Sequence, residues 1–148
     1  MTGCVATAVV AVLLLAAAPA PKEDDARTLQ GAWQAVTYEA GGMAVKDVAE
    51  KVVCTCEKDI LTFQYEGKVI WRATFKLDPS KKPRTIDITI TEGRRDDDKG
   101  KELHGIYELG KDGLRWCTSE PGGTDRPTAF ATKEGTRESL VTLKKEKP

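Results

Sequence analysis

The chain has a single histidine, His104, in 148 residues, and no charge excess of either sign, with 23 Lys plus Arg against 23 Asp plus Glu. A lone imidazole leaves any Ser-His-Asp or Cys-His arrangement one residue to use. Balanced charge removes the positive field by which nucleic acid or anionic lipid is gathered. The sequence contains no glycine-rich phosphate loop, no HExxH and no nucleophile elbow. Asp96, Asp97 and Asp98 run together without the alternate ligand positions, internal glycine and closing glutamate of a calcium loop. Cys54-x-Cys56 lacks the C-x2-C knuckle that wraps zinc. Acids fall in turns or at outward strand positions such as Asp87 and Glu108, so no carboxylate pair is expected inside. The expectation is a protein that is not an enzyme and carries no metal and no cofactor.

Cysteine is scarce too. Of four, Cys4 precedes a long apolar run, which leaves Cys54, Cys56 and Cys117 for the folded domain. An odd count is no disulfide framework. The plain expectation is three small buried hydrophobes; any bond that formed would join Cys54 or Cys56 to Cys117.

The apolar run, Val5 to Ala20, is 16 residues long and ends in Ala18-Pro19-Ala20. That is short of the roughly 20 residues of a membrane helix and has the form of a secretory h-region. Residues 1–20 therefore read as a signal peptide, although Met1 to Cys4 supplies no Lys or Arg. Export to the periplasm, the cell envelope or the medium follows, with no membrane span in the mature chain. Residues 21–28 read as a short solvated polar lead, and 29–146 as one domain.

Alternation fills that domain. Val69, Trp71, Ala73, Phe75 and Leu77 share one face of VIWRATFKL, and Ile86, Ile88 and Ile90 share one face of TIDITI, the period of two of half-buried strands. A first strand runs from Leu29 through Trp33, Val36 and Tyr38 to the Gly41-Gly42 turn. Ala44 to Val53 carries Val45, Val48, Ala49 and Val52 at helical spacing, which predicts a brief helix. VVCTCE, ILTFQY, ELHGIYEL, LRWCTS and SLVTLK complete eight strands. Most connections are a few residues long, which forces antiparallel hairpins. Gly93 to Gly100 and Pro121 to Pro127 read as loops. An eight-stranded meander with one oily face closes most simply into an up-and-down β-barrel, with a two-sheet sandwich as the alternative.

His104 shares a face with Glu102 and Ile106 and is expected on the outer, wetter surface. The inner set is apolar and aromatic, and includes Trp33, Trp71, Phe75, Ile86, Ile88, Tyr107 and Trp116. These side chains either fill an eight-stranded barrel or line a cavity for one small hydrophobic ligand. In the cavity reading Trp33, Trp71, Phe75, Ile88, Tyr107 and Trp116 line it, and the Tyr107 hydroxyl or an indole N–H orients the ligand. In the filled reading the protein is an envelope scaffold whose loops, Gly93–Gly100 and Pro121–Pro127, meet a protein partner.

Several segments carry a resemblance. LQGAWQ at the first strand, LDPSKKPRTIDIT from Leu77 to Thr89, GIYEL from Gly105 to Leu109, Cys117 of LRWC, and RPTAF from Arg126 to Phe130 together resemble a planctomycete family of small exported proteins, conserved hypotheticals with a lipocalin-like domain. The likeness runs from about Leu29 to Lys145. It implies a lipocalin-like barrel and an exported location, and it implies no known activity. Ala129 stands where the RPTEF form has an acid, and Lys145 where the closing strand often has Arg. Gly31-x-Trp33 also looks like the lipocalin signature, whose tryptophan plugs the barrel floor beneath a basic side chain. Lys145 or Lys144 would be that cover.

Overall fold

A computed structural model describes residues 24–147; the expected signal peptide and Cys4 lie outside them. The chain folds as α1 (Asp25–Leu29), β1 (Gly31–Ala40), the two-residue β2 (Met43–Ala44), α2 (Lys46–Ala49), β3 (Val52–Glu57), β4 (Ile60–Tyr65), β5 (Lys68–Asp78), β6 (Arg84–Glu92), β7 (Glu102–Leu109), β8 (Gly113–Thr118) and β9 (Ser139–Lys145). Each long strand pairs antiparallel with the next, and β1 pairs with both β3 and β9. Eight strands thereby close into a barrel with no free edge, and β2 extends only the far end of β1. The lipocalin-like architecture follows from the alternation, because each oily face has only the barrel interior in which to hide. The brief helix is present but shorter than its periodicity suggests: Val52 and Val53 belong to β3, where Gln64 and Tyr65 offer ladder partners.

Bulges depart from the simple alternation at three places. In β1 the register shifts between Ala35 and Thr37, turning Val36 outward at 54% exposure while Ala35 and Tyr38 face in. In β5, Phe63 pairs with Trp71 but Gln64 pairs with Val69, so Ile70 is the extra residue. Val69 therefore leaves the inner face that alternation gave it and stands 41% exposed. The third bulge places Thr91 between the Arg72–Glu92 and Ala73–Ile90 pairs, and its Oγ1 donates to the Arg72 carbonyl at 3.1 Å.

One end of the barrel is closed. Trp33 is fully buried there, its indole Nε1 donates to the Leu29 carbonyl at 2.8 Å, and Lys145 Nζ lies 5.4 Å from its ring centroid. Lys145 is thus the cover over the floor tryptophan, and its Nζ also donates to the Thr28 carbonyl at 3.0 Å. Gly31 stands between them at φ 109°, a conformation that favours glycine. The described part of the polar lead is ordered: residues 25–28 fold with Leu29 as α1 and cap this end, burying Asp25 and Leu29 while Asp24, Ala26 and Arg27 stay exposed. Fully burying a leucine contributes roughly 1.5–3 kcal/mol, and the Asp25 contacts to Tyr107 and Arg84 add to it in holding so short a helix in place.

Residues 119–138 form an irregular strap over the outside. Arg126 fastens it, with Nη1 donating to the Ile86 and Gly105 carbonyls at 3.2 and 2.7 Å and Nη2 to Asp87 Oδ1 at 2.7 Å. Further along, Phe130 lies under the Arg115 guanidinium at 4.0 Å, and Thr132 Oγ1 donates to Glu39 Oε1 at 2.6 Å. Ile106 and Cys117 are 1% and 0% exposed; Cys117 Sγ donates to the strap carbonyl of Ala131 at 3.4 Å.

Candidate ligand cavity

The opposite end of the barrel is open. There the mouth encloses a cavity of about 800 Å³, within the roughly 300–1,000 Å³ of small-molecule sites. Its walls come from the strand ends on that side. Phe63 and Trp71 stack at 4.1 Å between centroids with 13° between planes, and Trp116 tilts against Phe63 at 5.6 Å. Ile70, Ile88, Ile90, Leu103 and Val141 add aliphatic surface. The bulge in β5 matters here, because it puts Ile70 and Trp71 on the cavity together although they are sequence neighbours.

Three of the six residues expected to line a cavity do so: Trp71, Ile88 and Trp116. The other three stand below it. Trp33, Phe75 and Tyr107 pack in the closed half, at 0%, 8% and 2% exposure. Neither predicted polar handle on that side is free, since the Trp33 indole serves Leu29 and the Tyr107 hydroxyl donates to Asp25 Oδ2 at 2.6 Å. Burial, then the hydrogen bond and charge of Asp25, push the Tyr107 pKa up, so the hydroxyl stays a donor.

Polar groups at the cavity come from residues not singled out from the sequence. Tyr38 and Tyr65 line it, and burial raises the Tyr38 pKa, holding that hydroxyl protonated. Thr118 and Ser139 pair through their hydroxyls at 3.0 Å. Arg94, Arg95, Asp98 and Arg137 stand among the lining residues. The loop from Gly93 to Gly100 therefore forms part of the mouth, with Pro121 of the second loop beside it. The absence of apolar residues in that loop concealed this, since a rim needs none.

A smaller hollow of about 490 Å³ lies at the strap, lined by Asp125, Arg126, Lys133, Glu138 and small neighbours, with no large apolar side chain. It offers little surface to an apolar molecule.

His104 lies on the outer face as expected, but it is not a free surface residue. Its Nδ1 donates to Asp87 Oδ1 at 2.8 Å, beside the Arg126 contact, and Ser119 Oγ accepts from the His104 backbone N–H at 3.0 Å. Burial alone would raise the Asp87 pKa; the hydrogen bonds and charges of His104 and Arg126 outweigh it and hold the carboxyl below its ordinary range. His104 and Ser119 do not form a nucleophile–base pair, because His104 Nε2 faces Glu102 at 3.9 Å and Ser119 engages the backbone instead of the ring.

The three cysteines of the domain are free and buried. Burial raises the thiol pKa of each: Cys54 further through its neighbour Cys56, and Cys56 to about 11 with help from the Asp59 charge against the opposing Gln30 hydrogen bond. They pack as neutral apolar groups. Among the described residues no cluster of three His, Cys, Asp or Glu could hold a metal ion, and no helix is long and apolar enough to cross a membrane. No family model, no curated protein and no solved structure matches the chain.

Proposed function

We propose that this barrel binds a small apolar or amphipathic molecule in its open end. One observation carries the reading: the interior is solid around Trp33 but hollow around the Phe63–Trp71 stack, leaving aromatic surface facing about 800 Å³ of space. Apolar surface left facing water is a cost that a bound hydrocarbon removes, by about 25 cal/mol for each Å² covered. The lipocalin-like barrel implied by the planctomycete resemblance is a scaffold able to hold one small ligand, which is compatible with this reading. The apolar run from Val5 to Ala20 supports release from the cytoplasm, and a mature N-terminus at Pro21 would identify it. An envelope scaffold with a solid core is the weaker alternative, because the packing is solid at one end only.

A neutral fluorescent probe, N-phenyl-1-naphthylamine, tests the proposal. Saturable enhancement that 1-dodecanol competes away is the expected result. Linear, uncompeted enhancement would overturn it.

A further inference from the structure

We propose that the ligand is an anionic amphipath, with its tail in the aromatic cavity and its negative head at Arg94 and Arg95; this rests on the ligand-binding reading above. Four charged side chains line the cavity: Arg94, Arg95, Arg137 and Asp98. The one acid is already offset. Asp98 Oδ1 lies 3.8 Å from Arg137 Nη1 and 3.9 Å from Lys101 Nζ, within a side chain 16% exposed, and accepts no hydrogen bond from described residues.

Arg94 and Arg95 stand differently. Neither has a side-chain hydrogen bond or ion pair among the described residues. Like their exposed loop neighbours Asp96 and Asp97 they stand at the surface, but the two arginines line the cavity and the two aspartates do not. The mouth thus carries three cations against one anion, above an apolar wall. Low-dielectric walls focus such a field, and the guanidinium fork matches a carboxylate or a phosphate. At the mouth ends of β8 and β9 the Thr118 and Ser139 hydroxyls share one hydrogen bond, and the wall formed by Phe63, Trp71, Ile88, Trp116 and Val141 is apolar, which suits a hydrocarbon tail. A neutral ligand would leave the arginines unused, and a cationic one would be repelled by them.

Calorimetric titration of the full chain with four C12 probes below their micelle concentrations tests this: dodecanoate, dodecyl phosphate, 1-dodecanol and dodecyltrimethylammonium. The anions should bind about fivefold or more tighter than the alcohol, the equivalent of roughly two exposed ion pairs. Added salt should shrink the preference, and the ammonium should bind weakest. Whichever anion leads supports the proposal and names the head group. In Arg94→Gln/Arg95→Gln the anions should fall to the level of dodecanol, with dodecanol unchanged. Equal binding of alcohol and anions, or a preference that survives the double substitution, would overturn the anionic head while leaving a hydrophobic site. Binding of none of the four would instead remove the ligand-binding reading itself.

Discussion

The Tyr107 hydroxyl donates to Asp25 Oδ2 at 2.6 Å, tying β7 to a helix 82 residues earlier in the chain. Arg84 completes the arrangement, with Nη1 at 3.2 Å from the same oxygen. The closed end of the barrel is therefore held by a charged residue that the sequence places in a polar lead.

Tyr107→Phe should destabilise the fold by about 1.5–3 kcal/mol, the range for a hydrogen bond to a charged group, since it leaves a buried carboxylate short of a donor. Urea unfolding at unchanged m measures it. A loss under roughly 0.5 kcal/mol would mean that α1 does not dock as described.

Trp33 and Lys145 make a graded pair. Trp33→Ala should cost about 3–5 kcal/mol, because a fully buried indole leaves a cavity at the closed end. Lys145→Met keeps the stem and loses the cation over the ring, for about 1 kcal/mol. Equal effects from the two would contradict the ranking.

Gly105 has no room for a side chain. A Cβ there would sit 2.7 Å from the Cys117 carbonyl oxygen and 2.9 Å from Thr118 Cγ2. Gly105→Ala should destabilise by about 1–3 kcal/mol, whereas Gly113→Ala, with nothing within 4 Å, should stay within roughly 0.5 kcal/mol of the parent. Thermal melts of the two variants decide it.

Acid should weaken the strap. The folded Asp87 pKa lies below its ordinary value, so the folded state binds fewer protons than the unfolded one in the acidic range. Its contribution is complete above the ordinary carboxylate pKa and is lost as pH falls through the lowered one. Thermal midpoints of the parent should drop over that window, and those of Asp87→Asn should drop less. Parallel profiles would contradict the Asp87–His104–Arg126 account.

Periodicity made the strands and the barrel legible, because closing eight half-oily strands has few solutions. The floor tryptophan was legible too, through the Gly31-x-Trp33 resemblance, and its cover as Lys145 or Lys144, of which Lys145 lies over the ring. Three things were not. Bulges change which residue faces in without changing composition, so Val69 and Ile70 exchange faces unseen. The burial of Asp25 depends on Arg84 and Tyr107, 59 and 82 residues away. Arg126 works through the carbonyls of two strands and one carboxylate, a partnership that leaves no periodic trace. For the cavity, alternation identified inner faces but not depth: Trp71, Ile88 and Trp116 stand at the mouth while Trp33, Phe75 and Tyr107 lie below.

The central claim is that the open end takes up an apolar molecule, and titration calorimetry of 1-dodecanol into the parent and Ile70→Trp tests it most directly. Ile70 lines the cavity beside Trp71, so a larger side chain there occupies the space. The account predicts one site per chain in the parent, a negative heat-capacity change, and affinity at least about tenfold weaker, or about 1.4 kcal/mol, in a variant that melts like the parent. No binding heat in the parent, or the same affinity in both proteins, would contradict it.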